Sequence, residues 1–177
     1  MPGLPSVFSD RFSADFLRGF LESNKVRRVL FLTDGPAVPC GLLLDAGIPA
    51  VTVLAEGQET RDRIMEEFPA KAGLEILYFN KGRLGDSARS LGSAGRSFDL
   101  ILLETRPEAY PEFFNMIWKF LESKGHFLFA GVFAAPNGLN ASIRVEIESF
   151  VRDLHRDKRY EPKMLNLGGG LLLVRKK

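Results

Sequence analysis

The chain has 177 residues, 45% of them apolar and 26% charged, and its 24 Lys and Arg against 22 Asp and Glu leave a formal charge of +2. That length and composition fit one ordinary globular domain with a substantial core, and so small a charge gives no argument for nucleic acid, which is not expected as a main partner. A single cysteine, Cys40, excludes a disulfide framework and a thiolate metal site.

The opening stretch from Met1 to Asp10 lacks the basic start and apolar run of a signal peptide, and no apolar run reaches the ~18 residues of a membrane span. A cytoplasmic protein without a membrane partner is the expectation. Next comes a helix over residues 15–22, with Phe16, Leu17, Phe20 and Leu21 at helical spacing, Ser13 as its N-cap and Asn24 as its end.

Residues 26–35 run Val-Arg-Arg-Val-Leu-Phe-Leu-Thr-Asp-Gly and residues 50–56 run Ala-Val-Thr-Val-Leu-Ala-Glu. Both read as interior strands of a parallel sheet, continuously apolar and closed by a polar or acidic residue. Between them Pro39 fits the first turn of a short helix, Leu42, Leu43 and Leu44 supply its apolar surface, and Gly47 with Pro49 ends it. The result is a βαβ unit, whose ligands collect beyond the carboxyl ends of the strands, where an acid can take the hydroxyls of a ribose. Thr33, Asp34, Gly35 and Glu56 stand at that edge. Cys40, flanked by Val38 and the three leucines, reads as a buried and inert thiol.

A second helix follows over residues 59–68, with Ile64, Met65 and Phe68 facing inward and Pro69 just past its end. Residues 74–79 form a third strand, and the Gly-, Ser- and Arg-rich stretch 80–97 reads as a loop with a short helix around 87–91. A fourth strand, residues 98–104, is again apolar and again closed by an acid, Glu104. Residues 111–123 carry Phe113, Phe114, Ile117, Trp118, Phe120 and Leu121 on one broad face, which predicts a helix closed by Gly125 and gives Trp118 a core role. His126 then opens a fifth strand over 126–133 as a structural residue. Residues 135–138 read as a loop, and 141–154 as a helix presenting Ile143, Ile147, Phe150, Val151 and Leu154. Two last strands around Gly168, Gly169 and Gly170 make a β-hairpin. The basic residues Arg152, Arg156, Lys158, Arg159 and Lys163, with Arg175, Lys176 and Lys177, lack interleaved aromatics and read as a solvated face and tail.

Five strands alternating with helices and closed by a hairpin predict an α/β fold: an open, doubly wound, mostly parallel Rossmann-like sheet with an antiparallel C-terminal edge. One domain is expected, with residues 1–25 as an N-terminal helix and cover and 26–177 as the core. In this order of elements the sequence resembles the class I S-adenosylmethionine-dependent methyltransferases, and in detail the O-methyltransferases of the catechol and caffeoyl-CoA type. The motifs that carry the resemblance are Phe-Asp-Leu-Ile-Leu-Leu-Glu at 98–104 with Tyr110 six residues on, Leu-Glu-Ser-Lys-Gly at 121–125, and Leu-Gly-Gly-Gly-Leu at 167–171 followed by Arg175, Lys176 and Lys177.

The resemblance implies S-adenosylmethionine as cofactor and a small molecule as methyl acceptor, and it leaves room for a homodimer. It places Glu56 on the ribose, Thr33, Asp34 and Gly35 at the methionine end, and Asp86, in Gly85-Asp86-Ser87, near the adenine. Only the middle glycine of the family's turn is kept, as Gly35; Thr33 and Ala37 replace the others and are expected to crowd the ligand. Phe31 replaces the family's acid within the first strand. The family's metal-binding pair falls on Ala130 and Gly131, leaving Glu104 alone, so no catalytic metal is expected. Fewer residues precede the first strand than the family's N-terminal helices occupy, which implies a reduced cover. Glu104 or Tyr110 would act as the base; the bland alternative for Glu104 is a strand-end acid capping a helix or pairing with Arg106. A non-catalytic chain of the same fold, binding a nucleotide-like ligand or a protein partner, is the competing expectation. The missing Gly-x-Gly-x-x-Gly and the terminal hairpin argue against a third reading, a nicotinamide-dependent dehydrogenase.

Overall fold

In the computed structural model, residues 5–35, 37–69, 73–80, 83–133 and 140–177 are described. The expected loop at 135–138 lies outside them, as does Pro36 in the turn after the first strand. Strands Arg28–Thr33 (β1), Ala50–Glu56 (β2), Leu74–Phe79 (β3), Phe98–Glu104 (β4) and Leu121–Ala130 (β5) are followed by Tyr160–Leu165 (β6) and Leu171–Lys176 (β7). They form one sheet in the order β3-β2-β1-β4-β5-β7-β6. The first five run parallel, and the hairpin is antiparallel to β5 and within itself, which is the expected Rossmann-like architecture with an antiparallel edge.

Helices Arg11–Ser23 (α1), Val38–Asp45 (α2) and Gln58–Glu67 (α3) cover one face; Leu84–Ser93 (α4), Tyr110–Ile117 (α5) and Ala141–Arg156 (α6) cover the other. Alternate residues of each central strand feed the two cores, Phe31 and Val53 into one and Leu30 and Leu32 into the other, all fully buried. Each such side chain withdrawn from water contributes about 1.5–3 kcal/mol of transfer free energy. Among the described residues no helix is long and apolar enough to cross a membrane.

Four local expectations are corrected. Helix α1 starts a turn before residue 15, because Asp10 and not Ser13 is its N-cap: the Asp10 carboxylate accepts from the Ser13 amide at 3.0 Å, and Ser13 lies in the first turn. On α3, Ile64 is buried as expected but Met65 is half exposed and faces outward. The short helix expected around 87–91 spans ten residues, Leu84–Ser93.

The largest difference lies after α5. The helix ends at Ile117, a 3-10 turn covers Trp118–Phe120, and β5 starts at Leu121 and stops at Ala130. Leu121 pairs with Phe98 and His126 with Leu100, so Glu122, Ser123, Lys124 and Gly125 bulge opposite Asp99. Gly125 is thus a bulge residue and not a helix stop. A side chain there would meet Leu121 Cδ1 and the carbonyl oxygens of Asp99 and Glu122 at about 3 Å. His126 is half-buried, its ring edge-on to Phe20 at 5.0 Å, and burial lowers its pKa.

Candidate functional site

The register brings the acids together. Thr33, the last residue of β1, lies opposite Ala55 on β2 and opposite Glu104 on β4. Asp34, Glu56 and Glu104 therefore leave three neighbouring strands at one carboxyl edge, where a parallel sheet presents its ligand site.

Thr33 is fully buried and its hydroxyl accepts from the Gly35 amide at 3.1 Å. Ala37 is buried in the core beside Cys40 and Leu43. Neither of the two side chains that replace the family's glycines is exposed at the edge. Arg63, on α3, donates to the Gly35 carbonyl at 3.5 Å.

Arg106, two residues past Glu104, ties the edge together. Its Nη2 donates to both Glu56 oxygens, at 3.0 and 3.2 Å, and its Nε lies 3.4 Å from Asp34 Oδ2. The Arg106 backbone amide donates to the same Asp34 oxygen at 3.2 Å. Burial pushes the Asp34 carboxyl above its usual range, opposed by the Arg106 amide and aided by the Glu56 charge. Of the two bland roles open to Glu104, pairing with Arg106 is not the one taken, since Arg106 pairs with Glu56 and Asp34.

Glu104 is buried and held by the N-terminal segment. Ser6 Oγ reaches Oε1 at 2.8 Å and Oε2 at 3.0 Å, and the Val7 amide donates to Oε1 at 2.7 Å. Ser6 caps a 3-10 turn, Val7–Ser9, whose Phe8 is sunk in the core. The segment is also seated on the hairpin turn. Gly168 has φ +50°, and a side chain there would collide with Val7 Cγ1 and Ser13 Oγ. Burial pushes the Glu104 carboxyl up to about 7, against the Ser6 and Val7 hydrogen bonds and with the Asp34 charge adding to it.

Tyr110 is buried, and its hydroxyl lies 2.5 Å from the Ala130 carbonyl and 3.0 Å from that of Thr105. Burial holds its pKa well above the usual phenol value. The hydroxyl expected to serve as an alternative base is committed to the ends of β4 and β5. Next to it Thr105 Oγ1 is a buried hydroxyl with no partner among the described residues. Asp86 sits in the first turn of α4, partly exposed, and pairs with Arg83 at 3.0 Å and with Arg89. Arg106 thus joins Asp34 to Glu56, Thr33 bonds Gly35 in the adjoining turn, and Asp86 pairs elsewhere with the arginines of its own helix turn.

The donors at this edge do not fit a divalent cation. Glu104 has both oxygens engaged by the N-terminal segment, Ala130 and Gly131 bring no side-chain donors, and no group of three or more His, Cys, Asp or Glu converges among the described residues. They do fit a ribose-bearing, cationic cofactor: a strand-end acid at Glu56 and a second carboxylate at Asp34, both paired with the displaceable Arg106 guanidinium, and an orphaned hydroxyl at Thr105. Two contacts were beyond sequence reasoning, Arg106 with Glu56 and Ser6 with Glu104. They join residues 50 and 98 positions apart and carry no local signal.

No protein-family model and no curated protein matches the sequence. Solved structures do match. The O-methyltransferase from Bacillus cereus, in complex with S-adenosylhomocysteine, superposes with a TM-score of 0.78 at 16% identity, over 98% of this chain and 84% of that one. The O-methyltransferase TomG from Streptomyces achromogenes, involved in tomaymycin synthesis and bound to S-adenosylmethionine, gives 0.75 at 15% identity, over 95% and 81%. The S-adenosylhomocysteine-bound methyltransferase PaMTH1 from Podospora anserina gives 0.73 at 16% identity, over 97% and 80%. This chain has the fold of these S-adenosylmethionine-dependent methyltransferases.

Proposed function

We propose that the protein is an S-adenosylmethionine-dependent methyltransferase that acts on a hydroxyl of a small molecule without a catalytic metal. The observation that supports this most is the convergence of Asp34, Glu56 and Glu104 at the carboxyl edge of β1, β2 and β4. S-adenosylmethionine supplies a methyl group already activated on a sulfonium, so the protein's tasks are positioning and proton removal.

Glu56 accepts the ribose hydroxyls. Asp34 offers its carboxylate to the ammonium of the methionine end, and Thr33 holds the turn by accepting the Gly35 N–H. Asp86, at the start of α4, lies toward the adenine. Glu104 is the base: a carboxyl raised to about 7 exchanges its proton near neutral pH, as general-base catalysis requires. In this reading Oε2, which accepts from Ser6 in the resting chain, would take the acceptor's proton once the Ser6 hydroxyl turned away, while the acceptor oxygen took the methyl group and the methyl–sulfur bond broke to leave S-adenosylhomocysteine. Tyr110 serves this reading as a positioning residue that fixes the ends of β4 and β5.

The test is calorimetric titration with S-adenosylmethionine and S-adenosylhomocysteine, with Glu56→Ala alongside. Saturable binding that weakens in the variant by about 1–3 kcal/mol, the cost of losing a charged hydrogen-bond partner, is the expected result. Binding that Glu56→Ala leaves unchanged overturns the assignment of Glu56 to the ribose, and no binding at millimolar ligand even with the Arg106 side chain removed returns the chain to a non-catalytic role.

A further inference from the structure

We infer that Arg106 is an internal ligand of the cofactor site, a tethered cation that occupies the carboxylates of Glu56 and Asp34 and that the cofactor must displace; this rests on the methyltransferase reading above.

Backbone and side chain both hold the guanidinium in place. Pro107 follows Arg106 and opens a 3-10 turn, and the Arg106 amide is bonded to Asp34 at 3.2 Å, so the chain crosses from β4 toward β1 with little freedom. From there the side chain spans β1 and reaches the end of β2. Its Nη2 contacts both Glu56 oxygens, the same two atoms that a ribose diol needs. The Glu56 side chain is only 11% exposed with the guanidinium on both its oxygens, so a ribose diol and Arg106 compete for the same two atoms. The Arg106 side chain is 37% exposed and can swing outward without disturbing the core.

Charge explains why a latch stands there. Two partly buried carboxylates side by side repel each other and are poorly solvated, and a guanidinium offsets both costs. S-adenosylmethionine and S-adenosylhomocysteine both bring an ammonium that can replace the guanidinium at Asp34 and a ribose diol that can take the Glu56 oxygens from it. Affinity is then reduced by the fraction of molecules that are latched. A site held mostly closed binds about tenfold or more weakly than the same site without its arginine.

The experiment is calorimetric titration of S-adenosylhomocysteine into the wild-type chain, Arg106→Gln, Glu56→Gln and the double variant, with thermal melts to confirm that each is folded. Arg106→Gln is expected to bind about tenfold or more tightly than the wild type, and the gain is expected to vanish in the Glu56→Gln background. That dependence separates a latch from a general loosening of the edge. Wild-type binding that Arg106→Gln leaves unchanged or weakens overturns the latch and keeps the cofactor reading. Absence of binding in both the wild type and Arg106→Gln at millimolar ligand overturns both, since opening the acid then yields no ribose site.

Discussion

The Ser6 hydroxyl and the Glu104 carboxylate meet at 2.8 and 3.0 Å across 98 positions of sequence. The contact shuts a titratable acid under the N-terminal segment, and its first consequence is a pH dependence of stability. The Glu104 carboxyl is raised from the ordinary 4.5 to about 7, so between those values the folded protein holds a proton that the unfolded chain has released. Stability attributable to this group therefore falls as pH rises through that window, and the loss is complete above about 7. Glu104→Gln removes the titration and keeps an oxygen for the Val7 amide. It is expected to match the wild type within about 1 kcal/mol near the low end and to exceed it by on the order of 3 kcal/mol at alkaline pH. Urea denaturation at the two ends of the window checks this; an identical difference at both would show that Glu104 does not titrate there.

The same contact predicts what frees the segment. Ser6→Ala deletes the donor to both Glu104 oxygens and the acceptor of the Phe8 amide, leaving the Val7 amide on a buried carboxylate. The expected cost is about 1–3 kcal/mol. Hydrogen exchange should quicken at the Val7 and Phe8 amides while α6, on the opposite face, keeps its protection. Unchanged exchange at Val7 and Phe8 would mean that burial of Phe8 alone holds the segment.

The central strands were legible because they are buried on both faces: a continuous run such as Val29 to Leu32 admits few other readings, and the acid that closes each strand marks the ligand edge. The misreading at Leu121 has an equally physical cause. Phe120 and Leu121 extend the apolar stripe of α5, and Gly125 resembles a helix stop, yet the residue is small because β4 passes behind it. Glu56, Asp34 and Glu104 were placed by strand ends alone. What occupies them was not legible, because Arg106 and Ser6 reach them through the sheet order and not through spacing along the chain.

Tyr110 gives a contrasting prediction. Its hydroxyl serves the carbonyls of Thr105 and Ala130 and titrates far above neutral pH, so Tyr110→Phe should destabilise by about 1–2 kcal/mol to the same extent across the Glu104 window. Denaturation of this variant at the same two pH values tests it. A pH-dependent loss would mean that the phenol is coupled to Glu104 and would restore it as a candidate for the proton path.

Cys40 lies in the first turn of α2, its amide donating to the Ala37 carbonyl at 2.9 Å. Its thiol is fully buried beside Ala37 and Leu43, and burial, with the Glu67 and Glu104 charges adding to it, pushes its pKa up to about 12. The thiolate is the reactive form, so at mildly alkaline pH the native protein should leave a thiol reagent almost untouched, while the unfolded chain reacts at the ordinary rate. Labelling should therefore track opening of the core, and its rate should rise with urea in step with the unfolding transition. The Ser6→Ala variant separates two kinds of opening. If the N-terminal segment shields Cys40, that variant labels faster in the absence of urea. If α2 and the sheet shield it, the rate changes only as far as global stability does. Rapid labelling of the native wild-type chain would show that the turn after β1 opens on its own, which would bear directly on how a ligand reaches Asp34 and Gly35.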